Sequence, residues 1–253
     1  MIIWINLIDY VFNLIVIEMS FIITLYIGEG IVMASDSRIT YNLTLDNVDG
    51  SKTVKLGAHF SNSTPKTFLT SSNVGVSYCG DSSIRNKPIT GYIERFLEEH
   101  KNDDVDTLKD LLIPYFTSLE PNLNTTFIIG GYKNEKGCTL QKVYRINAKT
   151  GVVEDIDTSA QGALWGGETD VMSRILTPVY RKADKDGYVE LVSYPILWQH
   201  FTLQDAIDFA RYAIKTTIDT MKFQSRVKTV GGPIDILVIK PTEATWIEKR
   251  QLQ

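Results

Sequence analysis

The sequence has few cysteines and few histidines. Its 253 residues include two cysteines, Cys79 and Cys138, and three histidines, His59, His100 and His200. There is no CxxC motif and no Cys/His cluster, so neither a disulfide framework nor a zinc site is indicated. We therefore expect no metal and no cofactor, with the histidines serving as surface or packing residues. Two scattered thiols favour a reduced, cytoplasmic compartment.

An excess of positive charge is also lacking. Lys and Arg number 26 against 30 Asp and Glu, and the formal net charge is −4. Without a basic block the chain is not expected to bind nucleic acid. With 43% hydrophobic residues, the length suits one large domain.

The first residues lack the features of a targeting segment. Residues 1–18 contain no Lys or Arg, which argues against a signal peptide. A membrane-spanning helix needs about 20 mainly apolar residues, but Asn6, Asp9 and Asn13 interrupt this one. Three explanations of this segment remain open. In order of preference, it is an upstream extension that is not translated, a removable propeptide, or a weakly membrane-associating segment. We expect residues 1–19 to be an extension absent from the mature protein, and 20–253 to be one domain with no membrane partner.

Strands and helices alternate in blocks along the rest of the chain. Two apolar hairpins, at 20–35 and 67–80, flank a polar, turn-rich stretch at 41–65 that is expected to be a long loop or an irregular excursion. Two helices follow, the second with Asp106 or Thr107 as its cap and Pro114 as a kink or an early end. Further strands, two more helices and two last strands complete an α+β order, which predicts two packed sheets with helices on both outer faces.

The residues around Ser20 suggest a specific chemistry. An amide hydrolase with an alcohol nucleophile must deprotonate a hydroxyl and stabilise an oxyanion. A Ser at the very N-terminus can use its own α-amine as proton shuttle, assisted by a Lys that a carboxylate holds in place. Asp36 lies sixteen residues after Ser20, and Lys66 opens the second hairpin, which ends at Gly80.

In order and spacing, these residues resemble the proteasome β-subunit family of N-terminal nucleophile (Ntn) hydrolases, bacterial relatives included. GIVMASDSRIT at 30–40 is similar to the family's strand ending in Asp-Ser-Arg-x-Thr, and KTFLTSSNVGVSYCG at 66–80 to its Lys-to-Gly hairpin. Three later segments also resemble the family's sequence pattern: FIIGGY, YRINAKTGVV and GGPIDILVI. The resemblance covers 20–250 and implies a four-layer αββα sandwich of two antiparallel sheets flanked by helices.

Carried over by position, the resemblance implies a role for each residue. Ser20 would be the nucleophile, with its free α-amine as proton shuttle. Lys66 would activate the hydroxyl, Asp36 would fix Lys66, and Arg38 would be a supporting charge. The amide of Gly80 would line the oxyanion hole. Because initiator Met is removed efficiently before Ser, a chain that starts at Met19 would expose Ser20.

The sequence also departs from the family's pattern. The nucleophile is Ser instead of Thr, so it lacks the methyl group that restricts χ1. The segment between Arg38 and Lys66 is longer than usual. The family's accessory serines and aspartate have no clean match: WGGE (165–168) has Gly where Ser is common, and Lys228-Thr229-Val230 precede Gly231.

Three functions stay open. The first is a proteasome-like peptidase that acts on peptides or unfolded proteins. It would be a homo-oligomer, either a ring or a helical stack, with an ATP-driven unfoldase as candidate partner. The second is an amidase or acyl hydrolase for small molecules on the same fold. The third is a non-catalytic assembly protein. Substrate preference is not readable from the sequence, and Cys79 is expected to be a packed or pocket-lining thiol.

Overall fold

Apolar strands that end in short turns build the centre of this computed structural model, which describes residues 13–17, 20–47, 49, 51–183 and 187–250. The first predicted hairpin is present: β2 (Phe21–Ile27) and β3 (Gly30–Ser35) pair antiparallel, with Ile22 opposite Ser35. All but one of their residues are buried, as expected for strands covered on both faces.

Two five-stranded antiparallel sheets contain most of the strands. In the first, the strand order is β13-β2-β3-β16-β17, and in the second it is β12-β11-β10-β7-β6. The other strands of the first sheet are β13 (Gly162–Gly167), β16 (Asp235–Ile239) and β17 (Ala244–Glu248). Those of the second are β6 (Thr67–Leu69), β7 (Gly75–Gly80), β10 (Thr125–Glu135), β11 (Cys138–Asn147) and β12 (Val152–Asp155).

Four helices cover the outer faces of the two sheets. They are α1 (Ile89–Glu99), α2 (Val105–Leu119), α3 (Asp170–Leu176) and α4 (Leu203–Phe223), and a 3-10 turn spans Trp198–His200. Buried residues of α1 and α2 pack with the second sheet, and those of α3 and α4 with the first. A third cluster, which includes Ile22, Met33 and Ile128, fills the space between the sheets. The predicted four-layer αββα sandwich is therefore confirmed.

The prediction of a long loop at 41–65 is wrong. This stretch belongs to a hairpin of β4 (Ile39–Asp46) and β5 (Lys52–Ser61), and β1 (Asn13–Ile17) pairs with the other edge of β4. The hairpin was not predicted because the buried side chains that alternate along β4 are polar, whereas a strand is recognised in sequence by alternating apolar residues. One of them, Asn42, accepts a hydrogen bond from the amide of Gly57 at 2.8 Å, which satisfies it at a bulge in the pairing.

Several local expectations also change. The cap of α2 is Asp104, which accepts from the amide of Thr107, and not Asp106 or Thr107. The helix continues through Pro114 to Leu119. Helix α3 ends at Leu176, and β14 (Tyr180–Lys182) then pairs with β15 (Tyr188–Glu190). A short hairpin of β8 (Ser83–Ile84) and β9 (Lys87–Pro88) precedes α1.

The predicted fate of residues 1–19 falls mostly on residues 1–12, 18 and 19, which lie outside the described residues. Residues 13–17 are described as β1. This strand belongs to a separate three-stranded sheet, β1-β4-β5, and to neither sheet of the sandwich. The sandwich therefore does not depend on β1 for its strand pairing.

Candidate functional site

The carboxylate of Asp36 is the centre of the candidate site. It follows β3 directly and is fully buried. Oδ1 accepts from the amide of Phe21 at 3.0 Å and from Nζ of Lys66 at 2.7 Å. Oδ2 accepts from the amides of Arg38 at 3.1 Å and Gly231 at 2.9 Å. Four donors thus satisfy this carboxylate, and three of them fix it relative to other segments of the chain, those of Phe21, Lys66 and Gly231.

Lys66 is a buried amine next to this carboxylate. Its side chain is completely inaccessible, and Nζ also donates to the carbonyl of Arg38 at 2.6 Å. Burial lowers the pKa of Lys66, and the contact with Asp36 opposes that shift. A lysine with a lowered pKa is more readily neutral, and a neutral amine can accept a proton.

Ser20 lies at the start of β2, close to this pair. Its carbonyl accepts from the amide of Glu168 at 2.7 Å, and the residue is buried. The next amide, that of Phe21, shares Oδ1 of Asp36 with Lys66. In the 253-residue chain the nitrogen of Ser20 is part of the peptide bond to Met19. Strand β2, which directly follows Ser20, is therefore anchored to the same carboxylate oxygen as Lys66.

Gly80 and Cys79 end β7 on the opposite sheet. The φ of Gly80 is +110°, and a Cβ there would lie 2.3 Å from the carbonyl oxygen of Asn124, so this position requires glycine. Cys79 is buried, and burial raises its pKa to about 12. Its Sγ lies 2.8 Å from where a Cβ on Gly166 would be. The thiol is therefore packed and protonated at neutral pH.

Gly167 brings the end of β13 against the start of β2. A Cβ on Gly167 would lie 1.7 Å from the carbonyl oxygen of Ser20 and 3.4 Å from Cβ of Cys79. Ser20 and Cys79 thus meet across this glycine, although they belong to different sheets. The two glycines of the WGGE segment allow the two strands to approach closely.

Arg38 lies at the edge of the site. Its Nε donates to Oδ1 of Asn62 at 2.8 Å and its Nη1 to the carbonyl of Lys228 at 3.3 Å. The guanidinium stacks on Phe60 with 4.3 Å to the ring centroid. Burial lowers the pKa of Arg38, and the charge of Asp36 opposes this.

A second polar group beside Ser20 was missed from the sequence. Glu168, whose amide bonds Ser20, accepts from Arg226 at 2.9 Å and from the hydroxyl of Thr229 at 3.2 Å. The other terminal nitrogen of the guanidinium, Nη2, donates to Oδ1 of Asp170 at 3.1 Å. Burial raises the pKa of Glu168. Because 58 residues separate Glu168 from Arg226, no local spacing could have predicted this group.

Asp219, His100 and His59 have their contacts elsewhere in the fold. Asp219 pairs with Lys215 and Lys222 on an exposed face of α4. His100 contacts Asp103 at 2.8 Å, and His59 stacks on Tyr41. Within the described ranges, no group of three or more His, Cys, Asp or Glu could hold a metal ion. No helix among the residues that the structure describes is long and apolar enough to cross a membrane.

No protein-family model and no curated protein matches this sequence. Solved structures do match. The chain is similar to a Gly-1 mutant of Anbu from Hyphomicrobium sp. strain MC1, with 16% identity and a TM-score of 0.56 over 90% of this chain and 86% of that one. A second Anbu structure from the same strain has 15% identity and a TM-score of 0.52, over 91% and 88%. Anbu is a bacterial, proteasome-related, Ntn-hydrolase-like protein, and at this identity the similarity shows a shared fold.

Proposed function

We propose that this protein is a proteasome-like Ntn hydrolase that cleaves peptide bonds, with Ser20 as its nucleophile. The observation that carries the proposal is the buried pair of Lys66 and Asp36. Oδ1 of Asp36, which binds Lys66, also accepts a hydrogen bond from the amide of Phe21, the residue after Ser20. A buried lysine held by a carboxylate beside a serine is the arrangement that activation of the hydroxyl requires. The fold shared with Anbu supports the same class of protein.

The reaction begins when Ser20 Oγ attacks the carbonyl carbon of the substrate. The hydroxyl proton passes to the free α-amine of Ser20, which lies in the field of Lys66, and the carbonyl oxygen becomes an oxyanion. The amide of Gly80 would donate to that oxyanion. When the peptide bond breaks, the leaving amine takes the proton and an ester remains on Ser20. Water then hydrolyses the ester, with the α-amine as base, and regenerates the hydroxyl.

This mechanism requires a chain that begins at Ser20. We propose that residues 1–19 are absent from the working protein and that 20–253 form one hydrolase domain. The separate sheet of β1, β4 and β5 is consistent with this, because removal of β1 breaks no pairing in either sheet of the sandwich. We also place the protein in the cytoplasm as a homo-oligomer, a ring or a helical stack, that an ATP-driven unfoldase could supply with unfolded protein.

The test compares two forms of the protein on a set of fluorogenic peptides. One form starts at Met19, so that processing exposes Ser20, and the other is the full chain. Intact mass and N-terminal sequencing establish where each begins. We expect hydrolysis from the first form and none from the second, and loss of hydrolysis in Lys66→Ala and Ser20→Ala. An active Lys66→Ala variant, or no peptide cleaved by a chain that begins at Ser20, would overturn the proposal.

Two other functions give different results in the same assay. A small-molecule amidase on this fold would turn over small amides but cleave no peptide or casein-like chain. A non-catalytic protein would hydrolyse neither. One observation favours this last function: in the 253-residue chain the nitrogen of Ser20 is an amide and not an amine. If protein from its own cells retains Met1, the non-catalytic function becomes the better one.

A further inference from the structure

A surface cavity lies between the β4–β5 hairpin and the segment that joins α4 to β16. Its volume is about 740 Å³, and its lining includes Arg38 and Phe60 on one side and Gln224, Arg226 and Lys228 on the other. The cavity is next to the candidate site but separate from the buried pair. Ligand sites in proteins commonly have this size, with a few polar groups in a partly apolar wall.

The lining of this cavity carries positive charge, and of its cations only Arg226 is paired with acids, Glu168 and Asp170, within the described residues. It contains three cationic side chains and no Asp or Glu. The side chains of Arg38 and Lys228 donate to amide and carbonyl oxygens, those of Asn62, Lys228 and Gln224. Neither cation forms a salt bridge with any residue in the described part of the chain. An anion in the cavity would therefore meet two cations that are free of a carboxylate partner.

Two polar atoms of the lining residues are buried without a partner in the described ranges. Nε of Arg226 is a donor and Oε1 of Gln224 is an acceptor, and neither has a hydrogen-bond partner among the described residues. Both terminal nitrogens of Arg226 are already bound to Glu168 and Asp170. A buried polar atom without a partner is costly. With almost no accessible surface, both atoms lie beneath the wall of the cavity and do not contribute to the recognition of a ligand.

The cavity also has an apolar wall and a fixed relation to Ser20. Leu56 and Phe60 line it, and their side chains are 61% and 51% exposed. Arg226 binds Glu168, whose amide bonds the carbonyl of Ser20. The ring of Phe60 can therefore hold the methylene groups of an acidic side chain, and Arg226 and Glu168 connect the wall of the cavity to the backbone of Ser20.

We propose that this cavity binds the carboxylate of an acidic residue in a peptide, with Lys228 and Arg38 as the cations that recognise it. The substrate class of the enzyme would then be peptides with a Glu or Asp near the bond that is cleaved. That assignment of a substrate class rests on the proposed function, whereas the binding itself does not. Binding can be measured in the full chain, where Ser20 has no free amine.

The experiment measures binding of Ac-Ala-Glu-Ala-NH2 to the full chain by isothermal titration calorimetry. The matched probe is Ac-Ala-Gln-Ala-NH2, and inorganic phosphate tests for a simple anion site. We expect the Glu peptide to bind about tenfold more tightly than the Gln peptide, and to weaken as salt is raised. Equal affinity for the two peptides would overturn the proposal. So would a phosphate ion that binds more tightly and displaces the Glu peptide.

Variants then assign the binding to the cavity. Lys228→Gln should weaken binding of the Glu peptide about tenfold, and Lys228→Arg should stay within about threefold, because the charge is kept. Lys215→Gln, on the exposed face of α4, is the control and should change nothing. Thermal melts of each variant verify that it is folded. Unchanged binding in a folded Lys228→Gln variant would overturn the proposal, while hydrolysis, measured separately, decides the proposed function.

Discussion

Nζ of Lys66 lies 2.7 Å from Oδ1 of Asp36, and both side chains are fully buried. Ion pairs at protein surfaces contribute little to stability because water screens them, but a buried pair is different. When one partner is removed, the other is left as an uncompensated charge in a medium of low polarity. The stability of this protein and its proposed chemistry therefore depend on the same contact.

Asp36→Asn is expected to destabilise the protein by about 3–5 kcal/mol, the range for a broken buried ion pair. The substitution leaves the ammonium of Lys66 without its anion and replaces one acceptor oxygen by a donor. The free energy of unfolding is measured by urea denaturation. The matched control is Asp219→Asn, which breaks exposed contacts with Lys215 and Lys222 and should have no measurable effect. Equal stabilities for the two variants would contradict this prediction.

Lys66 is expected to titrate below 10.5, the ordinary value for a lysine, because burial lowers its pKa. The folded chain then binds fewer protons at this site than the unfolded chain. Between the folded pKa and 10.5 the contribution of Lys66 to stability falls as the pH falls, and below the folded pKa it stays at its lower value. NMR of lysine ¹³Cε follows the titration, and the resonance missing in Lys66→Arg gives the assignment. A midpoint at or above 10.5 would contradict the prediction.

The sequence predicted the parts of the fold that follow from local apolar patterns. The hairpin of β2 and β3 was predicted from two continuous apolar runs joined by a turn. The amphipathic helix α4 was predicted because its buried residues recur at helical spacing. The hairpin of β4 and β5 was not predicted. On β4 the buried residues Thr40, Asn42 and Thr44 are polar. Thr40 donates to the carbonyl of Lys228 and Asn42 accepts from the amide of Gly57, contacts that no local pattern in the sequence indicates.

Some residues of the candidate site could likewise be predicted from the sequence, and others could not. Asp36, Lys66 and Gly80 could be singled out because each has a fixed position relative to a turn or a strand end. Glu168, Arg226 and Thr229 could not, because their contacts with one another exist only after α4 packs on the first sheet. The amide of Gly231 reaches Oδ2 of Asp36 across 195 residues. Such long-range hydrogen bonds leave no periodic pattern in the sequence.

Gly80→Ala is expected to destabilise the protein by about 1–3 kcal/mol, since its φ of +110° disfavours any side chain. The new Cβ would also lie 2.3 Å from the carbonyl oxygen of Asn124, so the end of β7 must move. The matched control is Gly91→Ala in α1, where nothing lies within 4 Å of the new Cβ. There alanine should stabilise by about 0.5–1 kcal/mol through helix propensity. The same sign for both changes would be inconsistent with this account.

The two cysteines are expected to differ sharply in reactivity. Cys138 is exposed, whereas Cys79 is buried with a pKa raised to about 12, and the thiolate is the reactive form. At pH 7.5 iodoacetamide should therefore modify one thiol quickly, and Cys138→Ser should abolish that fast reaction. Cys79→Ser should leave the fast reaction unchanged, and it should not abolish hydrolysis if Ser20 is the nucleophile. Rapid modification of Cys79, or an inactive but folded Cys79→Ser variant, would instead identify Cys79 as the reactive group of the site.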